Sequence, residues 1–226
     1  MRGFRVAAAC LCAAFLTAAP AFGQRGDQWY CAASVPVKAI AACTRLIESG
    51  KLQGRALAEI YTSRGATYEQ LRFWRQFEDS AEKLAEYGER EMADYDEAIR
   101  IDPKYAPPHF NRGVVFIKKK DYDRALADLN EAIRLGPAER IKGIDEKSHD
   151  KNTQNAGYLH QRGIVHSLKG DIDRAIADYS AALRFDPELA QAFYDRGLAY
   201  RTKGDTNSAN ADFGRATKLD SSLKPP

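Results

Sequence analysis

The sequence has little excess of either charge: 34 basic and 31 acidic side chains leave a formal net charge of +3 over 226 residues. A balance that close provides no field that would select nucleic acid or an anionic membrane. Cysteine is scarce, and four residues with this spacing build neither a disulfide scaffold nor a zinc finger. The 16 glycines and 9 prolines follow no short period, which excludes collagen-like and low-complexity chains. No HExxH, Gly-x-Ser-x-Gly, phosphate loop or dinucleotide fingerprint occurs. What is present is 44% hydrophobic, 29% charged and 10% aromatic, the composition of a chain that folds around a core. The length suits one large domain or two small ones.

Long apolar runs are also missing, with one exception at the start. Arg2 and Arg5 precede Val6–Ala19, which is apolar apart from Thr17, and Pro20-Ala21-Phe22-Gly23 follows. A basic start, a short apolar run and a small-residue exit are the parts of a secretory signal peptide, expected over residues 1–23. A membrane anchor would need about 20 apolar residues, and a lipoprotein reading through Cys10 or Cys12 leaves too short a run before either. Once 1–23 is removed the chain is expected to have no membrane span and to be periplasmic or secreted, in a bacterial envelope. Two cysteines then remain, Cys31 and Cys43. An oxidising compartment favours their pairing. On one continuous helix their Cα atoms would be about 18 Å apart, beyond the roughly 7 Å limit of a disulfide, so a bridge needs the turn that Ser34-Val35-Pro36 can supply. Two buried free thiols are the alternative.

Self-similarity dominates the rest of the chain. Four tripeptides align: Ser63-Arg64-Gly65, Asn111-Arg112-Gly113, Gln161-Arg162-Gly163 and Asp195-Arg196-Gly197. A second block follows each, beginning at Asp94, Asp128, Asp178 and Asp212. The last two tripeptides are 34 residues apart, and over Ala58–Ser221 the chain resembles the tetratricopeptide-repeat family. With the glycine as position 8, units start at Ala58, Ala106, Ala156 and Ala190. Position 11 holds Tyr68, Phe116, His166 and Tyr200. Position 20 holds Glu91, Ala125, Ala175 and Ala209. Position 24 holds Tyr95, Leu129, Tyr179 and Phe213, and position 27 is always Ala. Pro103, Pro137 and Pro187 close the first three units.

The resemblance implies an all-α fold, a right-handed superhelical solenoid of antiparallel helix pairs. Small residues at positions 8, 20 and 27 let helices approach, since a helical Gly otherwise costs about 1 kcal/mol against Ala. Arg at position 7 is matched by Asp at position 23 in all four units, which predicts one Arg–Asp pair per unit; an arginine ladder for ligand binding is the alternative. Asp121, Asp171 and Asp205 are expected to cap the second helices.

The expected organisation is a degenerate first repeat and cap at 24–57, then units at 58–105, 106–139, 156–189 and 190–223. The first unit carries a 14-residue insertion, read as a lengthened hairpin restarted by an Asp79/Glu82 capping box, with Phe73, Trp74 and Phe77 as a candidate aromatic contact tip. Residues 140–155 are polar and are read as a loop between units. No capping helix is evident after Leu219, so an apolar face is expected on the last helix.

No catalytic residue, cofactor site or metal site is expected. His160 and His166 are six apart and do not share a helix face, and His166 holds an aromatic packing position. The family uses its first helices to line a concave groove. Here the resemblance places Phe110, His160 and Tyr194 at position 5, and Val114, Ile164 and Leu198 at position 9. This apolar and aromatic strip suits a protein or peptide partner, unless a neighbouring helix fills it. The Lys and Asn of the family's carboxylate clamp are absent. The function expected is a protein-interaction scaffold, not an enzyme; a structural, self-assembling envelope protein that forms homo-oligomers is the alternative.

Overall fold

The structure is a computed structural model, and it describes residues 27, 31–32, 35–136 and 146–225. The stretch read as a signal peptide, 1–23, lies outside the described residues. Nine helices and no strand occur among the described residues: α1 Pro36–Glu48, α2 Gly54–Arg75, α3 Ala81–Ile101, α4 Ala106–Lys118, α5 Tyr122–Leu135, α6 Glu146–Leu168, α7 Ile172–Phe185, α8 Ala190–Thr202 and α9 Thr206–Leu219. Each helix packs on the next, most extensively within the pairs α2–α3, α4–α5, α6–α7 and α8–α9. The first helices of successive pairs also touch, α2 with α4, α4 with α6 and α6 with α8. Among the described residues no such contact joins the second helices. A stack whose one layer is closer together than the other curves with that layer inside, so the first helices form the concave side.

Glycine at position 8 sets the distance within each pair. A Cβ at Gly65 would lie 2.7 Å from the Tyr95 ring, at Gly163 2.6 Å from Tyr179, at Gly197 2.8 Å from Phe213 and at Gly113 3.1 Å from the Leu129 Cγ. The bulky residue at position 24 therefore rests on bare backbone, and both are buried, as are the alanines Ala98, Ala132, Ala182 and Ala216 one turn on.

The position-7 arginines connect the units as well as the helices within each. Arg112 donates from Nε and Nη2 to both oxygens of Asp128, at 2.8 and 2.7 Å, as expected from the pairing of positions. Its Nη1 donates to Asp96 of the preceding unit at 2.6 Å. The other three repeat this arrangement: Arg64 holds Asp94 and reaches Thr44, Arg162 holds Asp178 and reaches Asn130, and Arg196 holds Asp212 and reaches Ser180. The backward acceptor is the residue after position 24 every time. Thr44, which follows Cys43, fills this role in the first repeat, so α1 stands where a second helix stands in the full units. In the last unit the same place is Gly214, exposed and facing open space.

These pairs are not electrostatically identical. Burial pushes the Asp94 carboxyl up, and the Arg64 guanidinium only partly offsets it. At Asp128 burial acts the same way, but the hydrogen-bonded Arg112 guanidinium and the neighbouring His109 ring outweigh it and hold the carboxyl below its ordinary range.

At the N-terminal end Cys31 and Cys43 form a disulfide with their Cα atoms 4.9 Å apart. With Ala42 they make a small buried cluster on which Leu46 and Ile60 pack, which ties the start of the array to α2. The second-helix caps are less uniform than the turn sequences suggest. Asp121 and Asp205 accept from the backbone N–H groups of Arg124 and Ser208. Asp171 sits at the N-cap of α7 without a side-chain cap bond, and its carboxylate lies 3.7 Å from His166 Nδ1. The lengthened hairpin has helices of 22 and 21 residues, against 13 and 14 in the following pair. Its second helix is capped by Ser80, which accepts from Lys83 N–H, rather than by Asp79, whose carboxylate accepts from the Tyr87 hydroxyl at 2.9 Å.

Two expectations are corrected. Residues 140–155 are not a loop throughout, because α6 starts at Glu146. No Gly or Pro interrupts 146–156, and Asn152, Asn155 and Ala156 are buried, with Asn155 seated against Gly136. Burial of that flank outweighs the poor helix propensity of asparagine. The apolar face expected on the last helix is also missing. The exposed side of α9 carries Asn207, Asn210, Ala211, Gly214, Arg215 and Lys218, the polar outer face a terminal repeat needs. The chain after it turns back, Thr217 Oγ1 bonding the Leu223 carbonyl at 2.7 Å.

Unit one departs from the repeat at Glu91, where the other units have Ala. Its side chain is fully buried, and neither carboxylate oxygen has a hydrogen-bond partner among the described residues. The Arg72 guanidinium, 3.2 Å away, is its counter-charge. Burial pushes the carboxyl up to about 7; Arg72 opposes this, Glu69 adds to it, and Lys118 and Lys119 oppose it from the C-terminal end of α4.

Three outcomes follow. Arg112→Ala strands a buried carboxylate and should cost about 3 kcal/mol in urea denaturation, with Arg112→Lys recovering little because a single ammonium cannot match the fork. Gly163→Ala should cost about 2 kcal/mol and Gly113→Ala less than about 1 kcal/mol, because a leucine can give way where a tyrosine ring cannot. For Glu91 the folded pKa lies above the unfolded value, so the penalty is absent below about pH 4.5 and complete above about pH 7. Glu91→Gln should therefore raise stability by about 3 kcal/mol at pH 8 and hardly at all at pH 4.5, as melting curves at the two pH values would show.

Candidate functional site

The concave side is built by α2, α4, α6 and α8. Phe110 and Val114 on α4, Ile164 on α6, and Tyr194 and Leu198 on α8 are all half-buried. Neighbouring side chains fill part of the strip. The Phe110 ring lies 4.8 Å from that of Tyr158 on α6, the first helix of the next unit. Ile164 packs on the cluster of Ala175, Tyr179 and Ala199. The Tyr194 ring is 5.6 Å from that of Phe213, its own unit's position-24 residue. Phe110, Ile164 and Tyr194 are thus used in part for packing, and none of the three is fully covered.

His160 differs from the rest of the strip. It is 6% exposed, its ring lies 5.6 Å from that of Tyr179, and its Nε2 is 2.7 Å from Asp195 Oδ2 on α8. Gln191 Nε2 donates to the other oxygen of that carboxylate at 3.1 Å. The histidine is thus an internal link between the third and fourth units and offers the groove little surface. Sequence reasoning missed Asp195. It is the variable first residue of the aligned tripeptides, Ser63, Asn111 and Gln161 in the other units, and only its place opposite position 5 of the preceding unit could have pointed to it.

The hairpin tip is the most exposed apolar surface of the described residues. Phe73, Trp74 and Phe77 are 56%, 59% and 91% exposed. Beside them a cleft of about 320 Å³ is lined by Val35, Pro36, Val37, Leu71, Trp74, Arg75 and Glu78. Val35 and Val37, at the start of α1, are themselves about half exposed. The cleft was not legible from the sequence, because it joins residues that are nearly forty positions apart.

Among the described residues no group of His, Cys, Asp and Glu could hold a metal ion. His166 lies within 4 Å of Asp171 and Asp178, inside the third helix pair. Among the described residues no nucleophile, base and orienting group are brought together.

Models of the tetratricopeptide repeat match residues 106–139 and 190–223, and a TPR repeat model matches 163–204. No curated protein matches the chain in sequence. Among solved structures, one titled "Crystal structure of MamA" is similar at a TM-score of 0.59 and 19% identity, over 83% of this chain and 90% of that one. "MamA 41-end from Desulfovibrio magneticus RS-1" is similar at a TM-score of 0.62 and 17% identity, over 91% of this chain and all of that one. Identities this low speak for the fold, a right-handed solenoid of helix pairs. Repeats matched on both sides of the central insertion, in helix pairs that pack against one another across it, make this chain a tetratricopeptide-repeat protein.

Proposed function

We propose that the chain is an exported scaffold whose concave side binds a segment of a partner protein, with Phe110, Val114, Ile164, Tyr194 and Leu198 as the apolar contacts. The observation that supports this reading is the layer geometry: the first helices touch one another from pair to pair, and the apolar side chains they carry at positions 5 and 9 are only half covered. A peptide laid across such a row gains apolar contact at several units at once, the helix-in-groove mode of recognition. No enzyme role is proposed, since binding is what a repeated surface without a reactive cluster supports. Export is supported by the Arg2, Arg5 and Val6–Ala19 pattern and by the Cys31–Cys43 bridge. No helix among the described residues is long and apolar enough to cross a membrane.

The test is crosslinked capture from the periplasm with groove variants. Val114→Glu and Leu198→Glu place charge on the half-exposed row away from the Arg–Asp pairs. Each should weaken retention of the captured protein at least about tenfold, or 1.4 kcal/mol, with the helical signal unchanged. Retention equal to that of the unaltered protein by both variants would refute the groove.

A further inference from the structure

The hairpin tip has the two parts of a self-complementary contact on one patch. The cleft is a hole with apolar walls, Val35, Pro36, Val37, Leu71 and Trp74. Phe77 is a knob: it follows α2 by two residues, is 91% exposed, and immediately precedes Glu78, which lines the cleft. An interface with two-fold symmetry needs this arrangement, because the same patch must supply what it receives. The charges at the mouth are already matched within the chain, Arg75 Nη1 donating to Glu78 Oε2 at 2.7 Å. An occupant therefore need carry no charge, which suits a phenylalanine ring.

We infer that two copies of this chain pair through the tips of their α2–α3 hairpins, the Phe77 of each entering the cleft of the other. The residues are distinct from those of the concave row, so the inference stands apart from the groove reading. Area sets the strength. At 150–250 Å² per aromatic side chain, Phe73, Trp74 and Phe77 expose about 400 Å² per copy. Two copies together bury about 800 Å² of aromatic surface, below the range of stable dimers and within that of transient ones. Reciprocal contacts close at two copies, so the pairing does not propagate into a filament.

Sedimentation equilibrium of the chain without residues 1–23, from about 10 µM to about 1 mM, should show a reversible monomer–dimer equilibrium and no larger species. Phe77→Ser and Val37→Asp should each weaken the dimer at least about tenfold. Neither should change the circular dichroism or the melting temperature, because both side chains are exposed. With p-benzoylphenylalanine in place of Phe77 and a mixture of isotopically light and heavy chains, illumination should join residue 77 of one copy to residues 35–37 of another. A monomer throughout the range would overturn the inference and leave the tip to a different protein. So would dimerisation unaffected by Phe77→Ser, open-ended assembly, or crosslinks that map elsewhere.

Discussion

One guanidinium per unit holds this molecule together in two directions. Its Nε and Nη2 take the two oxygens of an aspartate on the partner helix, and its Nη1 reaches back to the unit before. Arginine is suited to this because its donors are fixed in a plane, so satisfying the aspartate also aims the third group. The pair is mostly buried while its rim stays near solvent, the setting in which removal of one partner does more harm than the intact pair does good. The helix spacing has to match that geometry, and the bare glycine under each position-24 side chain provides it. Without the close approach the fork could not span from one helix to the other and still reach backward.

The array therefore has an energetic character unlike that of a single globular core. Each unit is tied to its own halves strongly and to its neighbour through the arginine's third donor, a few further polar contacts and shared apolar packing, so stability is close to a sum over neighbours. The exposed lysine links, Lys169 to Asp123 and Lys203 to Asp173, repeat from unit to unit. They contribute at most about 1 kcal/mol each, as surface pairs do. The first unit is the exception. Its Ala at position 20 is replaced by Glu91, and a carboxyl with one charged partner sits where the others have only a methyl group. The same unit carries the lengthened hairpin and the aromatic tip, so its irregularities are concentrated in one place.

Much of this was legible because the residues repeat by identity. Arg, Gly and Asp recur at fixed positions, and the pairing within units could be read directly. The backward acceptor could not. It is Thr44, Asp96, Asn130 and Ser180, four residue types that share only an oxygen, so no identity search connects them. His160 misled for a related reason: its position belongs to the groove in the family, but a carboxylate thirty-five residues away draws its ring inward. Residues 146–155 misled because local polarity suggests a loop, whereas the burial of Asn152 and Asn155 is a tertiary fact. The cleft beside Trp74 exists only once α1 is packed beside α2, which the disulfide helps to secure.

Because every arginine reaches toward the amino end, the ladder has a direction, and its two ends differ. Thr44 opens it by offering an oxygen to Arg64 while asking for no partner of its own. Gly214 stands in the equivalent place on the last unit and has no side chain to offer. Any repeat stacked beyond α9, whether from this chain or from another copy, would find its arginine's third donor unmet and a polar surface in front of it. A single missing side chain thus removes the link on which each other unit is stacked, and it weakens end-to-end growth there, while contact between copies through the hairpin tip stays open.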